Sequence, residues 1–132
     1  MYTISKQFAF SAAHQLHGLP KDHPCSNLHG HNYVVIVELQ STYLNKVGFI
    51  LDYRALSPIK EYIDEQLDHR NLNDVLLFNP TAELMAEYFY HEFRKLFELP
   101  ERNFISAVSV QETPKTIATY RPKQSKTLWE TI

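Results

Sequence analysis

Histidines are concentrated near the start of this 132-residue chain, in a pattern that suits metal binding. Five of the seven histidines fall within 18 consecutive positions, and four of these five (His14, His17, His29 and His31) are candidate metal ligands. His29 and His31 are separated only by Gly30, and residues i and i+2 of a β-strand point to the same face of a sheet. Their imidazoles can therefore converge on one ion, and His14, at the end of a preceding neighbouring strand, can supply a third nitrogen.

Three neutral imidazoles are a ligand set typical of zinc, and three protein ligands leave one coordination position open, as in catalytic sites. His17 lies toward the loop and is a weaker candidate for a ligand or an outer-sphere partner. Cys25 stands four positions before His29, and spacing leaves two interpretations of it open. It is either a fourth ligand that closes a structural site, or a nucleophile or base whose pKa is lowered by the nearby metal.

Composition excludes several classes of protein. Charged residues make up 21% of the chain, the net charge is -2, and no long run of one sign occurs, which disfavours a nucleic-acid-binding surface. No apolar stretch approaches the roughly 20 residues that span a bilayer, and residues 1–11 lack the apolar block of a signal peptide. The single cysteine excludes an internal disulfide. We therefore expect one domain over residues 1–132, in a cytoplasmic setting, with residues 122–132 as a polar tail.

Periodicity predicts the order β-β-α-α-β-β. Alternation favours strands over 1–13, 29–41, 104–112 and 116–121. Apolar residues at helical spacing, after the start signal Ser57-Pro58, predict a helix that ends near Asp68. Residues 69–79 read as a polar loop, and a second helix is expected from Asn79-Pro80-Thr81 to about Phe97. This order predicts an α+β domain with a four-stranded antiparallel sheet and both helices on one face.

The second face of that sheet is expected to be covered as well. On the strand 29–41, Val34 and Ile36 lie opposite an equally apolar set that begins with Tyr33. Both faces are more apolar than a solvated face should be, which favours burial of the second face by oligomerisation. On the strand 104–112, strict alternation places Ile105 on the face opposite Val108.

Five segments of the chain carry a family resemblance. They are FSAAH (10–14), CSNLHGH (25–31), LDHRNLND (67–74), NPTAE (79–83) and QET (111–113). Together and in this order they resemble the 6-pyruvoyl-tetrahydropterin synthase family over nearly the whole chain to Arg121. The three residues between Cys25 and His29 resemble the bacterial branch of that family, the 6-carboxytetrahydropterin synthases of queuosine biosynthesis.

The resemblance implies a fold, an assembly and a reaction. The implied fold is the tunnelling fold, whose subunits join their sheets into a barrel, commonly as a homohexamer built from two trimers, with active sites between subunits. The implied substrate is the pterin 7,8-dihydroneopterin triphosphate, with zinc held by His14, His29 and His31. The implied products are 6-carboxy-5,6,7,8-tetrahydropterin, acetaldehyde and triphosphate. The animal-type synthase on the same scaffold, which eliminates triphosphate without releasing acetaldehyde, is the alternative.

The resemblance also implies residue roles, each with a structural alternative. Cys25 is the expected base. Asp68 and His69 are the expected proton relay, although in isolation they suit a helix-end charge and a capping histidine. Glu112 is expected to anchor the pterin and is otherwise a solvated strand end; Thr81 is expected to contact substrate or to cap a helix. The triphosphate needs cations, and the sequence does not choose among five: Lys21, Arg54, Arg70, Lys115 and Arg121.

Overall fold

The computed structural model describes residues 1–123, so most of the expected polar tail, from residue 124 onward, lies outside the described residues. The strands are β1 (Tyr2–His14), β2 (His29–Ser41), β3 (Arg70–Asn71), β4 (Ile105–Gln111) and β5 (Ala118–Tyr120). The helices are α1 (Ser57–Gln66), α2 (Leu72–Val75), α3 (Ala82–Lys95) and α4 (Glu101–Phe104), with 3-10 turns at Pro24–Ser26 and Tyr53–Leu56. The α+β class and the two principal helices, α1 and α3, are confirmed.

Within residues 1–123, five strands form one open sheet in the order β3-β1-β2-β4-β5. Strands β1, β2, β4 and β5 pair antiparallel, as predicted, whereas β3 pairs parallel to the end of β1. The prediction of a four-stranded, purely antiparallel sheet is therefore wrong. The segment 69–79 is not a simple loop, because it contains both β3 and α2. A two-residue strand is too short to show an alternating pattern, so the sequence carries no sign of β3.

The core lies between the sheet and the helices α1 and α3. Strand β1 contributes Phe8 and Phe10, and alternate residues of β2 from Tyr33 to Leu39 are fully buried. Helix α1 turns its predicted stripe inward through Ile59 and Ile63. Helix α3 buries an equivalent stripe, which comprises Met85, Ala86, Phe89, Tyr90 and Phe93. Removal of this apolar surface from water holds the helices against one face of the sheet.

A β-bulge in the pairing of β2 with β4 changes which side chains of β4 point into the core. Its register against β2 shifts between Glu38 and Leu39, so Leu39 pairs with Ile105 while Glu38 pairs with Ala107. A bulge of this kind inserts one residue and reverses the alternation beyond it. Ile105 therefore lies in the same core cluster as Val108 and Val110, and the predicted placement of Ile105 and Val108 on opposite faces is wrong.

On the opposite face of the sheet, Val34 and Ile36 are only half-buried in the described chain. Beside them, Glu38 accepts hydrogen bonds from Ser106 Oγ at 2.7 Å and Arg121 Nη1 at 2.6 Å. These partners, Arg121 first, lower the pKa of the Glu38 carboxyl. Among residues 1–123, no helix combines the length and the apolar character needed to cross a membrane.

Candidate metal centre and active site

The β1–β2 hairpin brings the three histidines together. His14, the last residue of β1, pairs with His29, the first residue of β2, and His31 pairs with Ala12. The ring centroids of the three histidines lie 4.6 to 5.0 Å apart. His14 is fully buried. The pairing of β1 with β2 therefore brings the three imidazoles together, as the HGH spacing predicted.

Hydrogen bonds to two carbonyl groups fix which nitrogens face the centre of this cluster. His14 Nδ1 lies 2.8 Å from the carbonyl oxygen of Pro80, and His29 Nδ1 lies 2.7 Å from that of Asn27. A carbonyl only accepts hydrogen bonds, so both Nδ1 atoms carry a proton, and in the neutral rings both Nε2 atoms present lone pairs. Those two Nε2 atoms are 3.0 Å apart. Two lone pairs at this distance repel each other unless a cation lies between them.

The third histidine presents a nitrogen that the described residues leave without a partner. His31 Nε2 is buried and makes no hydrogen bond there; its nearest charged neighbour is Glu112 Oε2, 3.8 Å away. Burial lowers the pKa of both His14 and His31, which favours the neutral imidazoles that metals require. An unpaired buried acceptor is costly, and a metal ion satisfies it.

The donor set fits a metal ion. One nitrogen from each of His14, His29 and His31 lies within 4.8 Å of the other two. A tetrahedral zinc ion, with Zn–N bonds of about 2.0–2.1 Å, would need nitrogen atoms about 3.3 Å apart, and the 3.0 Å between the Nε2 atoms of His14 and His29 is close to that separation. Below the rings, Tyr33 packs edge-on against His14 and His31, which limits their movement.

Cys25 does not belong to that donor set. It lies in the 3-10 turn Pro24–Ser26, where it is half-buried, and its carbonyl accepts a hydrogen bond from the backbone N–H of Leu16 at 3.0 Å. Its absence from the cluster speaks against the interpretation as a fourth ligand. The weaker candidate His17 is also outside the cluster; its backbone and ring are bound by Asn79 and Asn73.

Asp68 and His69 contact each other through an unusual backbone conformation. His69 has a φ of 59°, in the left-handed region that a non-glycine residue rarely adopts. Ser11 stabilises this conformation from β1, because its carbonyl accepts from the His69 N–H at 2.7 Å while its own N–H donates to Asp68 Oδ1 at 2.9 Å. Asp68 Oδ2 then lies 2.9 Å from His69 Nδ1. The Ser11 N–H, and secondarily His69, lowers the pKa of Asp68.

This arrangement suits an oriented histidine better than a capping one. The C-cap residue of α1 is Leu67 and not His69, and the His69 side chain is 83% exposed. His69 and His31 line one cavity of about 540 Å³. A carboxylate on Nδ1 holds the imidazole in one tautomer and leaves Nε2 to exchange protons with a ligand.

A second cavity, of about 550 Å³, is lined by Glu112, Thr81 and Leu16. Glu112 follows β4 directly and is half-buried. Thr81 is the N-cap of α3, where its Oγ1 accepts from the Leu84 N–H at 3.2 Å. The capping interpretation of Thr81 thus holds, and its place in the cavity wall leaves contact with a ligand open.

Candidate phosphate ligands differ in how they are engaged. Arg54 pairs with Asp52 at 2.8 Å, and Arg121 pairs with Glu38. Arg70 Nη2 donates to the Glu65 carbonyl at 2.9 Å. The other two candidates, Lys21 and Lys115, are exposed.

The carbonyls of Pro80 and Asn27, which orient the candidate metal ligands His14 and His29, could not be identified from the sequence. Backbone acceptors of this kind have no sequence signal, because every residue carries a carbonyl and only the fold decides where it points.

Comparison with known proteins agrees with the fold. The family model of 6-pyruvoyl tetrahydropterin synthase matches residues 3–123, so the chain belongs to that family. It is 36% identical over 128 residues to a 6-carboxy-5,6,7,8-tetrahydropterin synthase of Synechocystis, covering 91% of this chain and 93% of that protein. It is 32% identical over 133 residues to a putative 6-pyruvoyl tetrahydrobiopterin synthase of Caenorhabditis elegans, covering 90% and 94%. The solved structure of Caenorhabditis elegans 6-pyruvoyl tetrahydropterin synthase superposes with a TM-score of 0.81 at 29% identity, covering 92% and 96%.

Proposed function

We propose that this protein is a zinc-dependent 6-carboxytetrahydropterin synthase, a carbon–carbon lyase of queuosine biosynthesis. It would convert 7,8-dihydroneopterin triphosphate to 6-carboxy-5,6,7,8-tetrahydropterin, acetaldehyde and triphosphate. The observation that carries the proposal is the set of inward-facing histidine nitrogens with the Glu112 carboxylate 3.8 Å from one of them. The three-residue gap between Cys25 and His29, together with the bacterial relatives of that name, favours this activity over the animal-type synthase.

The metal ligands and the pterin anchor have separate tasks. Zinc, when bound by His14, His29 and His31, supplies a Lewis acid that polarises the hydroxyl oxygens of the substrate side chain. Glu112 accepts two parallel hydrogen bonds from the 2-amino and N3 edge of the pterin, as a carboxylate does from arginine. Thr81, in the wall of the same cavity, offers a hydroxyl to the bound ring.

Proton transfer falls to Cys25, Asp68 and His69. Cys25 as a thiolate removes the proton from the carbon beside the polarised hydroxyl. His69 exchanges a proton on the other side of the substrate, while Asp68 keeps its Nδ1 protonated and its ring oriented. These roles are similar to those in other catalytic sites where a carboxylate orients the histidine that transfers the proton.

The proposal includes a homohexamer, a dimer of trimers in which open sheets join into a barrel. Strand β3 pairs only with Ala12 and Ala13, so the outer edge of β1 before them is unpaired within the described chain. Free edges of this kind favour pairing with another chain. His69 is too exposed to exclude water from a reaction on its own, and a neighbouring subunit is the surface that would cover it. We therefore propose that Asp68 and His69 serve a neighbour's Cys25.

Product analysis tests the activity. Purified protein, loaded with zinc and incubated with 7,8-dihydroneopterin triphosphate, is expected to release acetaldehyde in a one-to-one ratio with 6-carboxy-5,6,7,8-tetrahydropterin, as measured by mass spectrometry. Formation of 6-pyruvoyl-tetrahydropterin without acetaldehyde would establish the alternative activity. Substrate that is recovered unchanged, from protein with a full zinc content, would reject both.

Mixing two inactive variants tests whether active sites are shared. Cys25→Ala and His69→Ala chains are co-expressed with different tags, and the doubly tagged oligomers are isolated. If the residues act across an interface, random assembly regenerates about a quarter of the sites, because each needs an intact Cys25 and an intact His69 from different chains. Activity no greater than that of either variant alone would place both residues in one subunit. Light scattering on the same samples measures whether six chains assemble.

A further inference from the structure

The imidazole of His23, which has no role in the proposed reaction, caps the turn that carries Cys25. His23 directly precedes the turn Pro24–Ser26, and its Nδ1 accepts a hydrogen bond from the backbone N–H of Cys25 at 3.0 Å. The first N–H groups of a helical turn have no partner within the turn, so a side-chain acceptor at the N-cap fixes its start. Pro24 at the first position needs no such partner, because proline has no N–H. The cap therefore acts on Cys25 itself.

The rest of the turn is fixed by the same residue and by the end of β1. The His23 carbonyl accepts from Ser26 twice, from Oγ at 2.7 Å and from the backbone N–H at 3.0 Å. The Cys25 carbonyl accepts from the N–H of Leu16, two positions beyond the metal ligand His14. The main chain of Cys25 is thus held at its N–H by His23 and at its C=O by the segment that follows His14.

We propose that His23 is a positioning residue that holds the Cys25 thiol in the geometry needed to take a proton from the substrate. The inference rests on the proposed role of Cys25 as the base. Loss of the cap lets the turn adopt other conformations, and a small displacement of a catalytic group lowers turnover without weakening substrate binding. An asparagine side chain at the same position places an acceptor oxygen where His23 has Nδ1, and asparagine is among the best N-cap residues.

Steady-state kinetics of His23→Ala and His23→Asn test the proposal, with His91→Ala on an exposed turn of α3 as the matched control. His23→Ala is expected to lower kcat roughly five- to tenfold while KM for 7,8-dihydroneopterin triphosphate and the zinc content stay unchanged. His23→Asn and His91→Ala are expected to keep the parental kcat. A His23→Ala variant with the parental kcat, or one that loses zinc together with activity, would overturn the positioning role, as would a His23→Asn variant as impaired as His23→Ala.

Alkylation supplies a readout that needs no turnover. Cys25 is the only cysteine, so its rate of reaction with iodoacetamide reports on this turn alone. Because the residue is half-buried, release of the turn in His23→Ala is expected to speed alkylation at least about threefold, while His23→Asn reacts at the parental rate. Equal rates in all three proteins would refute the proposal. If the alkylation rates follow this pattern but the parent protein does not turn over 7,8-dihydroneopterin triphosphate, the proposed function is rejected. The conclusion that His23 holds the turn at Cys25 then still stands.

Discussion

Cys25→Ala is expected to lower turnover by roughly 100- to 10,000-fold, the range that removal of a general base costs, while the protein keeps its zinc and its fold. The physical reason is that the thiol contributes no donor to the histidine cluster, so the metal ligands are intact without it. Cys25 is also outside the buried core, and its hydrogen bonds in the turn are made by its backbone. Alanine preserves all of them.

Three measurements on one preparation decide this prediction. Turnover of 7,8-dihydroneopterin triphosphate gives the loss of activity, metal analysis gives the zinc content, and a thermal melt shows whether the fold survives. A Cys25→Ser variant is the matched control, because a hydroxyl has nearly the shape of the thiol but, unlike a thiol, does not ionise near neutral pH. Serine is expected to be nearly as inactive as alanine.

Loss of zinc from Cys25→Ala would contradict the assignment and support the other interpretation of this residue, as a fourth ligand in a non-catalytic site. Full activity in Cys25→Ala would move the base to another group. The His69 imidazole would then be the first candidate, since Asp68 orients it and it lines a cavity together with His31.

The three-histidine cluster could be predicted from sequence because the geometry involved is local. His29 and His31 share a face through the period of two that every strand obeys. His14 needed one further inference, that β1 and β2 form a hairpin, and the register that pairs His14 with His29 confirms it. The principal strands and helices were predictable for the same reason, since alternation and helical spacing are properties of short segments.

The contacts that shape the relay could not be predicted, because they join distant parts of the chain. Ser11 binds Asp68 from 57 positions away and also accepts from the His69 N–H, which helps to stabilise the left-handed backbone of His69. The Pro80 carbonyl that orients His14 is 66 positions from it. The bulge that turns Ile105 into the core depends likewise on the partner strand. Sequence patterns identify which residues carry chemistry, and tertiary contacts decide their tautomer, orientation and reach.

The facing lone pairs of His14 and His29 have a consequence for metal affinity. A bound cation removes their repulsion, and the carbonyls of Pro80 and Asn27 keep both rings turned toward it. Ligands oriented in this way need little reorganisation on binding, which is the effect that outer-sphere partners have on metal sites in general. Each of the three histidines should therefore be required for tight binding.

His29→Ala is expected to lower zinc affinity by more than about 100-fold, the upper end of what loss of an outer-sphere partner costs, and to abolish turnover. His29 is the better test than His14, because His14 is fully buried and its truncation would leave a cavity in the core. In the parent protein, zinc at 100 times its dissociation constant should raise the melting temperature by roughly 10 °C. That rise should disappear in His29→Ala.

His17→Ala is the matched control for His29→Ala, since His17 belongs to the same group of histidines in the sequence but is exposed and outside the cluster. It is expected to keep both the zinc content and the zinc-dependent rise in melting temperature. Competition with a chromogenic chelator gives the affinities of all three proteins. Undiminished zinc binding by His29→Ala would reject the site, and loss of zinc from His17→Ala alone would show that the metal is held by a different set of donors. Equal loss from both would mean that the loop after β1 and the cluster bind the ion together.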